Sequence, residues 1–194
     1  AEERFCDAGL AEKLTEDFVT GLITNGTTTV AAFGSPFAEA TDRSFRVMAQ
    51  RGYRAIFGMT LNDVNSPLPL CRQADRALDE SRMLAAKWHN AENGRLRYAF
   101  SPRTPVCCSE ELMRGAAALA KMLDCHIQTH VAESPAAVRA ARASHPDRLD
   151  DVDVFAEMGL LTPRTLLGHG VFLDQQRRRQ VAESRTSLVH CPTA

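Results

Sequence analysis

Short apolar runs with almost no polar alternation recur along this chain, and stretches of helical periodicity separate them. The runs are Thr27–Phe33, Tyr53–Thr60, Arg95–Phe100, Cys125–Val131, Thr165–Gly168 and Thr186–His190. Helical spacing marks Ala11–Leu22 before the first run, then Thr41–Arg51, Leu70–His89, Ser109–Leu123, Val152–Met158 and Asp174–Glu183. Strands apolar on both faces are buried on both sides, and strand–helix repetition supplies the helices that cover them. The expected class is therefore α/β with a parallel sheet. A closed eight-stranded βα barrel usually takes about 250 residues, and only six strands are readable here. An open doubly wound sheet is the rival, although no Gly-x-Gly-x-x-Gly follows the first strand.

Local signals refine the boundaries. Asn25-Gly26 ends the first helix, Thr41 or Asp42 caps the second, and Gly52 closes it. Ser109 opens the fourth, with Glu110 and Glu111 directly behind it, residues that favour a helix start. Ala143–Asp151 reads as a polar loop, and Arg177-Arg178-Arg179 as a solvated helix face. No linker or internal repeat divides residues 1–194, so one domain is expected.

Bulk composition excludes several classes. With 23 basic and 24 acidic residues the net charge is −1, which offers no global attraction to nucleic acid or to a membrane surface. No apolar run approaches a membrane span, and Ala1-Glu2-Glu3-Arg4 opens polar, without the apolar stretch of a leader. The chain lacks an initiating methionine, as expected of one that begins partway through a gene product. The six cysteines, Cys6, Cys71, Cys107, Cys108, Cys125 and Cys191, form no Cys-x-x-Cys. They read as reduced thiols of a cytoplasmic protein outside the mechanism.

The chemistry concentrates at the ends of strands. In Cys125–Ser134, side-chain alternation puts His126, Gln128 and His130 on one face, a row too polar for an ordinary core. That face suits a polar cavity with His130 at its mouth and Glu133 on the loop beyond. Ser101-Pro102-Arg103, His169-Gly170 and His190-Cys191-Pro192 follow other strands, and barrels place catalytic groups at such ends. Neutral imidazole binds zinc, which brings the pKa of a bound water to about 7. Glu133 could then take that water's proton and pass it to a leaving group. His169 could bind metal or hold hydroxide by a hydrogen bond, and Arg103 offers a planar fork for adjacent acceptors on a flat ring. His190 reads as the end of a buried strand, His126 as a satisfied core residue, and His89 and His145 as solvent-facing.

Gly26-Thr27-Thr28-Thr29, Ser101-Pro102-Arg103, Cys108-Ser109-Glu110-Glu111-Leu112, the run His126–Glu133, Leu161–Thr165, Gly168-His169-Gly170 and His190–Thr193 together resemble the guanine deaminase family of the amidohydrolase superfamily. The resemblance covers Glu2 to Ala194. It implies a partial (β/α)8 TIM-type barrel of the metal-dependent hydrolase kind, with about six of eight strands in residues 1–194. It implies one Zn2+ per full-length subunit, with His130 a metal ligand, Glu133 the proton shuttle and His169 positioning the attacking water. Arg103 would recognise the purine, whose adjacent O6 and N7 an arginine fork can read, and Gln128 would line the same substrate site. Hydroxide would attack C2 of guanine, releasing ammonia and leaving xanthine. The partner is thus a small-molecule purine, with a homodimer as a family-level expectation.

This sequence departs from the family pattern. No His-x-His occurs in residues 1–194, so that ligand pair is expected upstream and the family's strand-eight aspartate downstream. Thr104 replaces the usual aromatic after Pro-Arg, and Ala132-Glu133-Ser134 replaces Ser-Glu-Asn. A relative acting on another amino- or chloro-substituted heterocycle, such as an aminotriazine, is the enzymatic alternative. A non-catalytic purine-binding barrel is the other. The cytidine deaminase class is excluded, since its Pro-Cys-x-x-Cys signature is missing.

Overall fold

The structure, a computed structural model, describes residues 2–191. After a single 3-10 turn at Glu2–Cys6, helix α1 occupies Ala8–Thr24. Asp7 Oδ1 accepts from the backbone N–H of Gly9 and Leu10 at 2.9 and 3.2 Å, so the helix starts earlier than its apolar spacing predicts. It ends where predicted. Gly26 takes φ +77°, and Thr27 N–H bonds back to the Leu22 carbonyl at 2.9 Å, a closure that left-handed glycine permits.

The alternation then runs β1 (Thr29–Phe33), α2 (Ala38–Gln50), β2 (Arg54–Gly58), β3 (Thr60–Leu61), α3 (Ala74–Trp88) and β4 (Leu96–Pro102). It continues through α4 (Glu110–Met122), β5 (His126–Val131), α5 (Pro135–Ser144), α6 (Asp151–Glu157), β6 (Thr165–His169), α7 (Gln175–Glu183) and β7 (Ser187–Val189). Ser109 caps α4 as predicted, its hydroxyl accepting from Leu112 N–H at 3.1 Å.

Three expectations are corrected. Helix α2 begins at Ala38 with no side-chain cap. Thr41 instead donates to the Ser35 carbonyl, and Asp42 accepts from Lys87 Nζ at 2.6 Å and Trp88 Nε1 at 2.7 Å. Tertiary contacts claimed both candidate caps. Helix α5 was not anticipated: Ser134 caps it by accepting from Ala137 N–H at 3.1 Å, with Pro135 in its first turn, where a missing N–H costs nothing. Arg177 is not solvated; it is 5% exposed and paired with Asp150 and Asp153.

All strands pair in parallel, in the order β1-β2-β4-β5-β6-β7, with β3 carrying the line of β2 onward against β4. Each strand lies beside its successor, so the order never reverses, whereas a doubly wound sheet must reverse at a switch point. The result is a curled half-barrel with helices outside. Among the described residues β1 and β7 are paired on one side only, and they are also the least buried strands.

Between sheet and helices lies an apolar core. Phe45 is 0% exposed and meets Phe57 edge-on at 5.1 Å and Trp88 face-to-face at 5.4 Å. Burying such a ring contributes about 2–3 kcal/mol, with a smaller increment from the aromatic geometry. Inside the curl the chemistry is polar. Gln128, 2% exposed, donates Nε2 hydrogens to the Ala32 carbonyl at 2.8 Å and Ser101 Oγ at 2.9 Å, which joins β1, β4 and β5.

At Gly58 the backbones approach so closely that a Cβ would lie 1.8 Å from the Ala99 carbonyl oxygen. Neither strand can yield without breaking the ladder. Gly58→Ala is expected to lower stability by about 3 kcal/mol, read as a shift in the denaturant midpoint. A wild-type midpoint would contradict that packing.

Candidate active site at the strand ends

The carboxyl ends of β4, β5 and β6 converge on a cavity of about 470 Å³. Phe33, Arg103, Thr104, Gln128, His130, Glu133 and His169 are among its walls. Register explains the grouping: His130 lies opposite Gly168 in the β5–β6 pair, where no side chain fills the space beside it. Arg103 follows β4 directly, and its backbone N–H donates to the Leu61 carbonyl at 3.0 Å.

His130 is held by the Arg103 carbonyl, which lies 2.9 Å from Nδ1 and also accepts from the His130 backbone N–H at 3.3 Å and Thr129 Oγ1 at 3.2 Å. A carbonyl cannot donate, so Nδ1 carries the proton and Nε2 keeps its lone pair. Phe33 stacks on the ring at 4.4 Å, and His169 stacks at 5.6 Å. Burial pushes His130 below the ordinary imidazole pKa, against the opposing pull of the Arg103 carbonyl. The ring is therefore neutral at neutral pH, with a lone pair free at Nε2.

Glu133 leaves the β5 end after Ala132, a buried residue at φ +43°. Its side chain is 51% exposed, and Oε1 lies 3.9 Å from Nε2 of His169, which is 9% exposed. His169 itself takes φ +75°, followed by Gly170 at φ +68°. Arg103 Nη1 donates to Glu2 Oε2 at 2.8 Å. This pair borders a second cleft of about 430 Å³, formed by Phe5, Phe18, Phe33, Arg103 and His130 among others.

Of the residues singled out in the sequence, Arg103, Gln128, His130, Glu133 and His169 all line this one cavity. Gln128 has its amide hydrogens committed to strand-tying bonds. His190 does not join them. Val189 and Cys191 line the wall on either side of it, and His190 is exposed, which corrects its reading as a buried strand end. Pro192 and Thr193 of the same motif lie outside the described residues. All six cysteines are free thiols.

Phe33 and Glu2 were not recognised in advance. Phe33 had a usable signal, since it is an aromatic closing a strand at the catalytic end of the sheet. Glu2 had none, because its partner lies 101 residues away.

The amidohydrolase family model matches residues 2–194. The chain belongs to the amidohydrolase family. It is 33% identical to a probable guanine deaminase of Deinococcus radiodurans, over 98% of this chain and 43% of that one. The structure of E. coli guanine deaminase superposes with a TM-score of 0.94 at 30% identity, over 99% of this chain and 44% of that chain. Guanine deaminase from C. acetobutylicum with guanine bound gives 0.95 at 25% identity, covering 99% and 46%. The chain thus spans less than half the length of the relatives it matches, and its half-barrel is a segment of their TIM barrel.

Amidohydrolases are generally metal-dependent. The residues present fit part of such a site. His130 has its Nδ1–H anchored on a carbonyl and Nε2 turned free, the arrangement of a metal-ligating histidine, and His169 and Glu133 stand beside it. Among the described residues no three histidine, cysteine or carboxylate groups converge as a metal cage.

Two further histidines sit apart from this amidohydrolase cavity. His89 is not solvent-facing as expected; its Nδ1 accepts from Tyr98 N–H at 3.2 Å, and its Nε2 is buried without a partner among the described residues. His126 likewise leaves Nδ1 buried and unpartnered, so it is not the satisfied core residue expected. Burial, with Arg164 and His89 adding repulsion, pushes His126 down to about 4. Below pH ~6.5 the unfolded chain protonates this ring while the folded chain does not. Its contribution to stability is therefore full above that pH and is lost as pH falls toward 4. His126→Asn is expected to flatten the fall in urea midpoint between pH 6.5 and 4 relative to wild type; parallel curves would rule the ring out as a source.

Proposed function

We propose that this chain is the central part, a single domain, of a zinc-dependent amidohydrolase that converts guanine and water to xanthine and ammonia. The observation that carries the proposal is the convergence of His130, Glu133, His169 and Arg103 on one cavity. Sequence and structural likeness to guanine deaminases, one of them with guanine bound, supports the substrate.

His130 would hold the metal through Nε2. Zinc bound there would supply a water of near-neutral pKa. Glu133 takes a proton from the attacking water as the C2–O bond forms by addition to the ring, and delivers it to the amine, which then leaves as ammonia when the C2–N bond breaks. His169, stacked against His130 and 3.9 Å from Glu133, holds the water by a hydrogen bond. Arg103 keeps Nη1 on Glu2 and offers its remaining donors to the purine acceptors. Gln128 shapes the cavity floor. Thr104 on the cavity wall, where the family has an aromatic, favours a second reading. In it the ring is another aminated heterocycle stacked less tightly.

Ammonia release from guanine and from aminotriazines, assayed on the protein at its full natural length, separates these readings. Guanine is expected to be preferred, and no release from guanine would end the first. Glu133→Gln is expected to lower kcat by about 10²–10⁴-fold, and a near-wild-type kcat would remove Glu133 from proton transfer. Residues 1–194 alone are expected to retain no stoichiometric zinc after dialysis, because so few donors do not close a tetrahedral site. One zinc per chain by elemental analysis would show otherwise.

A further inference from the structure

Among the described residues Glu133 has no side-chain partner nearer than His169 at 3.9 Å, so where its side chain starts from depends on the backbone that delivers it. That backbone is unusual. Ala132 adopts φ +43°, a left-handed conformation that costs a residue with a Cβ about 1 kcal/mol and persists only where its surroundings impose it. Three hydrogen bonds do so. Gly170 N–H donates to the Val131 carbonyl at 2.8 Å, and Phe172 N–H to the Ala132 carbonyl at 3.0 Å. The third comes from a side chain remote in sequence: Asp151 Oδ2 accepts from Ala132 N–H at 2.6 Å.

Asp151 is 4% exposed and lies in the first turn of α6, whose capping already falls to its neighbour. Asp150 Oδ1 accepts from Val152 and Asp153 N–H at 3.0 and 3.2 Å, and Asp150 Oδ2 takes Arg177 Nε at 2.6 Å. Asp153 accepts from Arg177 Nη2 at 2.7 Å. The Asp150–Arg177–Asp153 cluster thus fixes α6 against α7 without Asp151. Burying a further carboxylate is costly unless it is hydrogen-bonded; its Oδ1 shares Val152 N–H with Asp150 at 3.1 Å, and its Oδ2 takes Ala132 N–H, among the described residues its one side-chain hydrogen bond outside α6.

We infer that Asp151 is a positioning residue for the proposed proton-transfer chemistry: its carboxylate holds Ala132 in the left-handed turn that aims Glu133 into the cavity. This rests on Glu133 having the role proposed above, whereas the structural half of the inference, the Asp151–Ala132 bond, stands apart from any activity. An asparagine can replace the acceptor: its Oδ1 faces Ala132, and Val152 N–H keeps Asp150 Oδ1 as partner. An alanine cannot.

Asp151→Ala, Asp151→Asn and Asp153→Asn separate positioning from simple stability in the full-length protein. Asp153→Asn weakens the arginine cluster but leaves the Ala132 bond alone. Asp151→Ala is expected to lower kcat at least about tenfold with KM nearly unchanged, and to displace the acid limb of the kcat–pH profile. Asp151→Asn should recover kcat to within about threefold of wild type. Asp153→Asn should lower Tm while kcat and its pH profile stay at wild type. Hydrogen exchange of the segment 131–134 is expected to quicken in Asp151→Ala and not in the other two. Equal kcat losses in Asp151→Ala and Asp151→Asn, or a loss in Asp153→Asn that tracks Tm, would overturn the inference. So would unchanged exchange in Asp151→Ala. If the wild type fails to deaminate guanine while the exchange pattern holds, the guanine reading fails and the structural assignment of Asp151 stands.

Discussion

The carbonyl oxygen of Arg103 accepts from His130 N–H, His130 Nδ1 and Thr129 Oγ1, and through it the end of β4 is fastened to the end of β5. This joint sets the His130 tautomer, turns Nε2 toward the cavity and fixes the stem of the Arg103 side chain. A ring free to flip would present a proton where a lone pair is needed. Phe33 and His169, stacked against the same ring, remove most of its remaining freedom. Preorganisation of this kind precedes any ligand.

The sheet makes that joint possible because its strands are all parallel and in sequential order. Every carboxyl end then emerges on one rim, and groups far apart in sequence become neighbours. Close backbone approach has its own requirement, met at Gly58. The other end of the strands tolerates what the rim exploits. There His89 and His126 keep unpartnered buried nitrogens, and burial holds both below their ordinary pKa.

Much of this was legible in the sequence because the relevant physics is local. Strand–helix alternation predicts the parallel class, Asn25-Gly26 predicts a helix end, and the parity of Gln128 and His130 predicts a shared wall. Order along the chain was enough to group Arg103, His130, Glu133 and His169. What escaped depends on partners distant in sequence. Thr41 and Asp42 read as caps until Ser35, Lys87 and Trp88 engage them. Arg177 reads as solvated until Asp150 and Asp153 enclose it. Helix α5 escaped for another reason, since its single buried residue, Ala141, leaves almost no apolar stripe to detect.

The Gln128 amide, bonded to Ala32 some 96 residues earlier, spans the concavity as a chord spans an arc. An arc with a chord keeps its radius whether or not its ends meet. Across the curl, the span from β1 to β5 is therefore held by this bond as well as by the ladders between them.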